Sequence, residues 1–176
     1  MNYAIVISTD GGLWRYVIGD TVEFTSLFPH KIKITGRTKH FINAFGEEVI
    51  INNAEKALEK ACAGTGAHIM EYTAGPVYMG TETRGSHEWV IEFDREPDNI
   101  ENFIEILDTT LKSLNSDYEA KRYKDLTLGR PVVRSVPRGT FYRWFKEKDK
   151  LGGQNKMPRL SNNREFIESI LKLAGS

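Results

Sequence analysis

Residues 13–36 contain two segments in which apolar and polar side chains alternate, and this alternation constrains the fold of the first part of the chain most. The alternating apolar residues are Trp14, Tyr16 and Ile18 in the first segment and Ile32 and Ile34 in the second. A period of two predicts half-buried β-strands. Each segment ends in a glycine followed by a polar residue, first Asp20 and then Arg37. Such a pair is expected at a strand tip, where the backbone turns and a ligand approaches closely.

Apolar periodicity over the rest of the chain predicts an α+β fold. Strands are predicted at residues 3–9, 13–18, 21–27, 31–36, 67–79, 87–94 and 131–136. Helices are predicted after Asn52 or Asn53, from a capping pair at Asp98 and Glu101, over 117–123 and 139–148, and from Asn162. The helices after residue 50 are expected to cover an antiparallel or mixed sheet. The strands before residue 37 have no helix to cover them, so a short all-β segment precedes the helix-covered domain.

Composition excludes several classes of protein. The chain has 176 residues, of which 40% are hydrophobic and 27% charged, and its formal net charge is zero. These values favour a packed core over disorder and give no basis for a nucleic-acid or anionic-membrane partner. A single cysteine, Cys62, indicates a reducing compartment. With no basic leader and no long apolar run, the chain is predicted to be cytoplasmic, and its histidines lack the spacing of a metal site.

Two residues are candidates for chemistry on their type alone. The Asp20 carboxylate can accept hydrogen bonds from two vicinal hydroxyls, as a ribose requires, but Gly-Asp can also simply turn the chain. Lys156 follows a Gly-rich stretch from which an ammonium could reach a developing negative charge, but an ordinary exposed loop lysine has the same pattern.

Several motifs resemble those of adenylate-forming enzymes. The segment Arg15-Tyr16-Val17-Ile18-Gly19-Asp20 is similar to their R-Y-x-x-G-D motif, and Gly36-Arg37-Thr38-Lys39 with Phe45-Gly46-Glu47 and Glu55 is similar to their hinge motif. Residues 114–118, 137–141 and 154–159 narrow the resemblance to the GH3 (auxin-responsive) acyl acid–amido synthetases. The resemblance extends from about Tyr3 to Arg159.

The resemblance implies an activity with two half-reactions. Such an enzyme uses Mg-ATP to activate a carboxylic acid as an acyl-adenylate, and then transfers the acyl group to an amine, typically an amino acid. The roles implied are nucleotide binding for Asp20, Arg37 and Tyr16, the hinge for Lys39, a second-step loop for Asn43, Phe45 and Gly46, and catalysis for Lys156. Arg159 is expected to add a second cation beside Lys156.

The resemblance also implies a domain organisation. Residues 1–37 correspond to the last strands of a large adenylation domain, and residues 38–176 to a mobile C-terminal domain. The phosphate-binding loop of the superfamily is absent, and no lysine follows Gly139 at the superfamily's usual position. We therefore interpret the chain as a fragment or split subunit, inactive alone, whose partner is the upstream adenylation domain. The alternatives are a non-catalytic α+β binding or regulatory module, or an oligomer-forming domain that uses the exposed strands of residues 3–36.

Overall fold

The structure is a computed structural model, and it describes residues 2–37, 41–80, 84–125, 127–152 and 155–175. The strands are β1 Asn2–Ile7, β2 Tyr16–Leu27, β3 His30–Arg37, β4 Phe41–Ile42, β5 Val49–Ile50, β6 His68–Val77, β7 Ser86–Arg95 and β8 Val132–Val136. The helices are α1 Ile51–Thr65, α2 Ile100–Leu114, α3 Ser116–Arg122, α4 Thr140–Glu147 and α5 Glu165–Ala174, with a 3-10 turn at Tyr123–Asp125. The predicted α+β class is confirmed.

The N-terminal sheet has the order β1-β2-β3 and is antiparallel throughout. Two predicted strands, 13–18 and 21–27, are in fact the single strand β2. Gly19, with φ of 90°, lies inside this strand and lets it continue with a local irregularity where a turn was expected. The expectation that Asp20 lies at a strand tip is therefore wrong, because the residue lies within β2. Arg37 is the last residue of β3, as predicted.

The apolar side chains of this sheet are not half-buried as the alternation predicted. The exposed ones include Tyr16, Val17, Ile18, Phe24, Ile32 and Ile34, and Trp14 just before β2 is exposed as well. Val22 is buried within the same sheet. Alternation predicted that this segment forms strands, although not their bounds, and it could not supply a layer to cover them.

A short hairpin of β4 and β5 leads directly into α1 and was not predicted. The helix begins at Ile51, with Ile50 as its N-cap, so neither Asn52 nor Asn53 is the cap. The Asn53 side chain instead accepts a hydrogen bond from the Ile50 amide at 3.2 Å. The helix ends at Thr65, and its C-cap is Gly66, whose φ of 67° suits a glycine in the left-handed region.

The C-terminal sheet has the order β6-β7-β8, with β6 antiparallel and β8 parallel to β7. The parallel return from β7 to β8 passes through α2 and α3, so the sheet is mixed. On the far side of β6, Leu160 forms a parallel bridge with Ala74. The central strand β7 is buried from Ser86 to Phe93.

Helices cover both faces of this sheet, because alternate residues of β7 belong to different apolar clusters. One cluster joins Trp89, Ile91 and Phe93 to residues of α1, α2 and α3, and the other joins Val90 to residues of α4 and α5. Helix α2 is capped by Asn99, whose side chain accepts from the Asn102 amide, and not by the predicted Asp98. Helix α5 begins at Glu165, three residues later than predicted.

Candidate active site and the loop that leads to it

Two predicted nucleotide-binding residues are neighbours in the N-terminal sheet. Asp20 of β2 and Arg37 of β3 are cross-strand partners in the register of the two strands. Asp20 is half-buried, and the irregularity at Gly19 directly precedes it. Tyr16 lies at the start of β2, where its register partner is Ile7 of β1, and its side chain is exposed. The register thus brings Asp20 and Arg37 together but places Tyr16 apart from their pairing.

Lys39, the predicted hinge, lies outside the described residues, and the described chain resumes at Phe41. The predicted second-step loop follows between β4 and β5. Gly46 has φ of 87°, a backbone conformation that favours glycine. The Asn43 amide donates to the side-chain oxygen of Asn162 at 2.6 Å, so this loop contacts the segment that follows the Lys156 loop.

Phe45 fixes the middle of the loop against the C-terminal domain. Its ring packs on the larger apolar cluster, and a Cβ at Gly85 would overlap it. A glycine is therefore needed at residue 85 to let the ring approach the backbone. The Phe45 amide donates to Glu47 Oε2 at 2.7 Å, which orders the loop internally.

Sequence reasoning gave no role to the buried pair formed by Glu47 and His87. Glu47 Oε1 lies 2.7 Å from His87 Nε2, and both side chains are fully buried. Burial raises the pKa of Glu47, but the hydrogen bond and charge of His87, with the Phe45 amide, outweigh it and leave the pKa below its ordinary value. Sequence alone offered no signal for this pair, since His87 is one of several polar residues in β7.

A second buried network lies behind this pair. The Asp108 carboxylate accepts from Arg122 Nε at 2.8 Å and Nη2 at 2.7 Å, and from the Tyr118 hydroxyl at 2.8 Å. Lys112 Nζ lies 2.6 Å from the same carboxylate. Burial raises the pKa of Asp108, but these three donors outweigh it and hold the pKa below its ordinary value. The network satisfies every charge it buries and joins α2 to α3.

Lys156, the predicted catalytic residue, is exposed on a loop that is anchored at its C-terminal end. The adjacent Met157 is buried in the second apolar cluster, and the Pro158 carbonyl accepts from the Thr73 hydroxyl at 2.7 Å. The Arg159 carbonyl accepts from the Ala74 amide at 2.8 Å. These contacts hold the backbone next to Lys156 while its ammonium faces solvent.

Arg159, the cation expected beside Lys156, has partners of its own in the structure. Its guanidinium forms an ion pair with Glu55 of α1 and lies 5.4 Å from the centre of the Tyr72 ring. Both contacts hold the end of the loop to the sheet and to α1.

Within the described residues, no group of three or more His, Cys, Asp or Glu side chains is arranged to hold a metal ion. None of the helices in the described part of the chain has the length and apolar character needed to cross a membrane.

The described residues thus combine a mixed sheet covered by helices with a separate sheet of three antiparallel strands. The model of the GH3 family C-terminal domain matches residues 52–165, and that of the GH3 family central domain matches residues 1–37. The chain belongs to the GH3 family, which confirms the resemblance found in the motifs.

Relatives and solved structures agree with this assignment. The chain is 28% identical over 150 residues to the indole-3-acetic acid-amido synthetase GH3.3 of Arabidopsis thaliana, covering 80% of this chain and 25% of the relative. It is 26% identical over 185 residues to the probable indole-3-acetic acid-amido synthetase GH3.1 of the same plant, covering 96% and 30%. The chain thus spans about a quarter of the length of the first of these relatives. The structure of GH3.15 acyl acid amido synthetase shares the fold, with a TM-score of 0.77 at 22% identity over 97% of this chain and 32% of that one.

Proposed function

We propose that this chain forms the C-terminal part of an ATP-dependent acyl acid–amido synthetase, which joins a carboxylic acid to an amine, typically an amino acid. The observation that carries the proposal is the register pairing of Asp20 with Arg37 at the end of the family's central-domain segment. Membership of the GH3 family supports it, since the relatives above are named as amido synthetases.

Asp20 and Arg37 would hold the ribose of ATP. A half-buried carboxylate can accept hydrogen bonds from both hydroxyls of a ribose, and a guanidinium on the neighbouring strand can bind the ribose or a phosphate. Tyr16 remains a candidate nucleotide contact on its motif, although its register partner lies in β1. Mg²⁺ typically binds through substrate phosphates with one or two carboxylates, so it would arrive with ATP and need no cluster in this chain.

Lys156 would act in the first half-reaction. Its exposed ammonium would neutralise the charge that develops between the carboxylate substrate and the α-phosphate. The contacts of Met157 and Pro158 support this role, because a cation stabilises charge best when its loop is already in place. Rotation about Lys39 would then withdraw Lys156 and bring Asn43, Phe45 and Gly46 to the site for acyl transfer.

The adenylation domain would cover the N-terminal sheet. The sheet exposes large apolar side chains that the described residues of this chain leave uncovered, and such a patch is typical of a packing surface. On this proposal, residues 1–37 complete the adenylation domain, while the helix-covered domain moves relative to it.

The proposal is tested with Lys156→Ala in a complete synthetase, made by joining this chain to the remainder of a GH3 adenylation domain. We expect carboxylate-dependent pyrophosphate exchange to fall by about 10²–10³. Amide formation from a supplied acyl-adenylate should be preserved, because that step does not use this ammonium. Lys146→Ala, which removes an exposed lysine from α4, is the matched control and should leave both rates unchanged. Equal loss in both half-reactions would contradict the role of Lys156.

A further inference from the structure

We propose that Glu47, His87 and Asn115 are positioning residues that hold the loop of residues 43–48 to the C-terminal domain, so that the loop moves with this domain as one body. The resemblance implies that this loop acts in the second step, and its contacts in the structure attach it to β7 and to the start of α3. The consequence for the second half-reaction rests on the proposed function above, but the attachment itself does not.

Glu47 makes the first connection. One carboxylate oxygen accepts from the Phe45 amide at 2.7 Å, inside the loop, and the other lies 2.7 Å from Nε2 of His87 in the central strand. Both side chains are fully buried, so water cannot replace either contact. A single carboxylate therefore joins the backbone of the loop to the middle of the sheet.

Asn115 makes the second connection. Its Nδ2 group donates to the backbone carbonyls of Glu47 at 2.9 Å and Glu48 at 3.1 Å. Its Oδ1 accepts from the Tyr118 amide at 2.8 Å, which caps α3. The Tyr118 ring lies 5.6 Å from the ring of His87, so the segment 115–118 contacts both the loop and its buried partner. These contacts give a structural role to the motif of residues 114–118, to which the proposed catalytic chemistry assigns no function.

The backbone of the loop shows that this conformation is imposed by its contacts. Glu48 has φ of 42°, a value that side-chain-bearing residues rarely adopt. The Glu48 amide donates to Asn43 Oδ1 at 3.3 Å, and its carbonyl is bound by Asn115. Strained backbone persists where surrounding contacts determine it, so the loop is set in advance and does not refold during the reaction cycle.

The donor in the buried pair is His87, because an ionised carboxylate only accepts hydrogen bonds. Nε2 therefore carries the hydrogen, and Nδ1 has no hydrogen-bond partner among the described residues. Removing the imidazole would leave a buried carboxylate without its main donor, so the loss should be felt first at the Phe45 amide that shares this carboxylate.

The test is hydrogen exchange of the Phe45 and Glu48 amides, measured relative to amides of α5 in the same sample. Asn115→Asp keeps the oxygen that caps α3 but removes the donors to the loop, and His87→Phe keeps a ring but removes the donor to Glu47. We expect the relative exchange of the two loop amides to rise at least about tenfold in each variant. His87→Gln, which retains an N–H donor, should restore part of the protection.

Asn99→Asp is the matched control, because it changes the cap of α2 in the same way and does not contact the loop. It should leave the exchange ratio unchanged. Should His87→Phe fail to fold, Asn115→Asp decides the question alone. The positioning role is overturned if the exchange ratios in Asn115→Asp stay at the wild-type value. It is also overturned if the loop amides are already unprotected in the wild type.

The functional consequence has its own measurement in the complete synthetase. Asn115→Asp should slow amide formation from a supplied acyl-adenylate about tenfold or more, with pyrophosphate exchange changed less than about threefold. If Asn115→Asp releases the loop in the exchange experiment but slows neither half-reaction, the second-step role of Asn43, Phe45 and Gly46 is refuted. The attachment of the loop to the C-terminal domain would still stand, because exchange measures it directly.

Discussion

The two three-stranded sheets of this chain have similar apolar content but opposite environments. In the N-terminal sheet the large apolar side chains face outward, and the Trp14 side chain just before β2 is 81% exposed. In the C-terminal sheet Trp89 of β7 is 0% exposed. The comparison shows that alternating apolar residues specify a strand, whereas burial depends on what packs against it.

The polar residues of the two sheets also differ, since two carboxylates of the C-terminal sheet are buried and hydrogen-bonded whereas two lysines of the N-terminal sheet are exposed. In the C-terminal sheet Glu92 accepts from the amides of Gly139 at 2.8 Å and Phe141 at 3.0 Å and so caps α4, while Glu88 pairs with Arg134 and Arg164. Each buried carboxylate of β7 thus ties a later element to the sheet. In the N-terminal sheet Lys31 and Lys33 are exposed to solvent, and the sheet has no covering layer within the described residues.

The largest difference is expected between the two tryptophans. Trp89→Ala should lower the free energy of unfolding by about 3–5 kcal/mol, because it leaves a cavity in the larger apolar cluster. Trp14→Ala should change it by no more than about 0.5 kcal/mol. Chemical denaturation followed by circular dichroism measures both. Similar losses for the two variants would show that Trp14 is covered in solution and would remove the contrast.

A smaller, pH-dependent effect is expected from the Asp108 network. Asp108→Asn should cost about 1.5–3 kcal/mol at neutral pH, because the donors from Arg122, Lys112 and Tyr118 lose a charged acceptor. The pKa of Asp108 is lowered in the folded protein. Its stabilisation is therefore present above the unfolded pKa, about 3.9, and is lost as the pH falls through the folded value.

Unfolding free energies of the wild type and Asp108→Asn, measured between neutral pH and the acid limit of folding, should therefore converge in acid. Asp10→Asn, in the exposed turn before β2, is the control and should match the wild type throughout. A difference between wild type and Asp108→Asn that stays constant with pH would mean that the carboxylate contributes by packing and not by its charge.

The smallest effects are expected inside the N-terminal sheet. Val22 and Ile34 are register partners, yet Val22 is buried and Ile34 is 65% exposed. Val22→Ala should cost about 1.5 kcal/mol, and Ile34→Ala no more than about 0.5 kcal/mol. Thermal denaturation of both variants at two protein concentrations measures these losses and shows whether they depend on association. An equal loss that grows with concentration would show that another copy covers this face.

Much of the C-terminal fold could be predicted because local patterns and packing agree there. The sequence patterns predicted helices near residues 52, 98, 117, 139 and 162, and α1 to α5 lie close to these positions. Errors arose where a local pattern allowed more than one backbone conformation. The cap of α1 was misassigned because Asn53 reaches back to Ile50 from inside the helix, and Asp20 was placed at a tip because Gly19 permits β2 to continue.

The candidate site divides in the same way. The sequence by itself determined the family, the class of fold and the residues to which chemistry is assigned, because residue type and spacing within a motif are local properties. Only the tertiary structure decided that Asp20 faces Arg37 across two strands, that Arg159 is held by Glu55, and that Glu47 meets His87. The physical reason is that strand register and the pairing of buried charges depend on which distant segments pack together, and no local pattern encodes that choice.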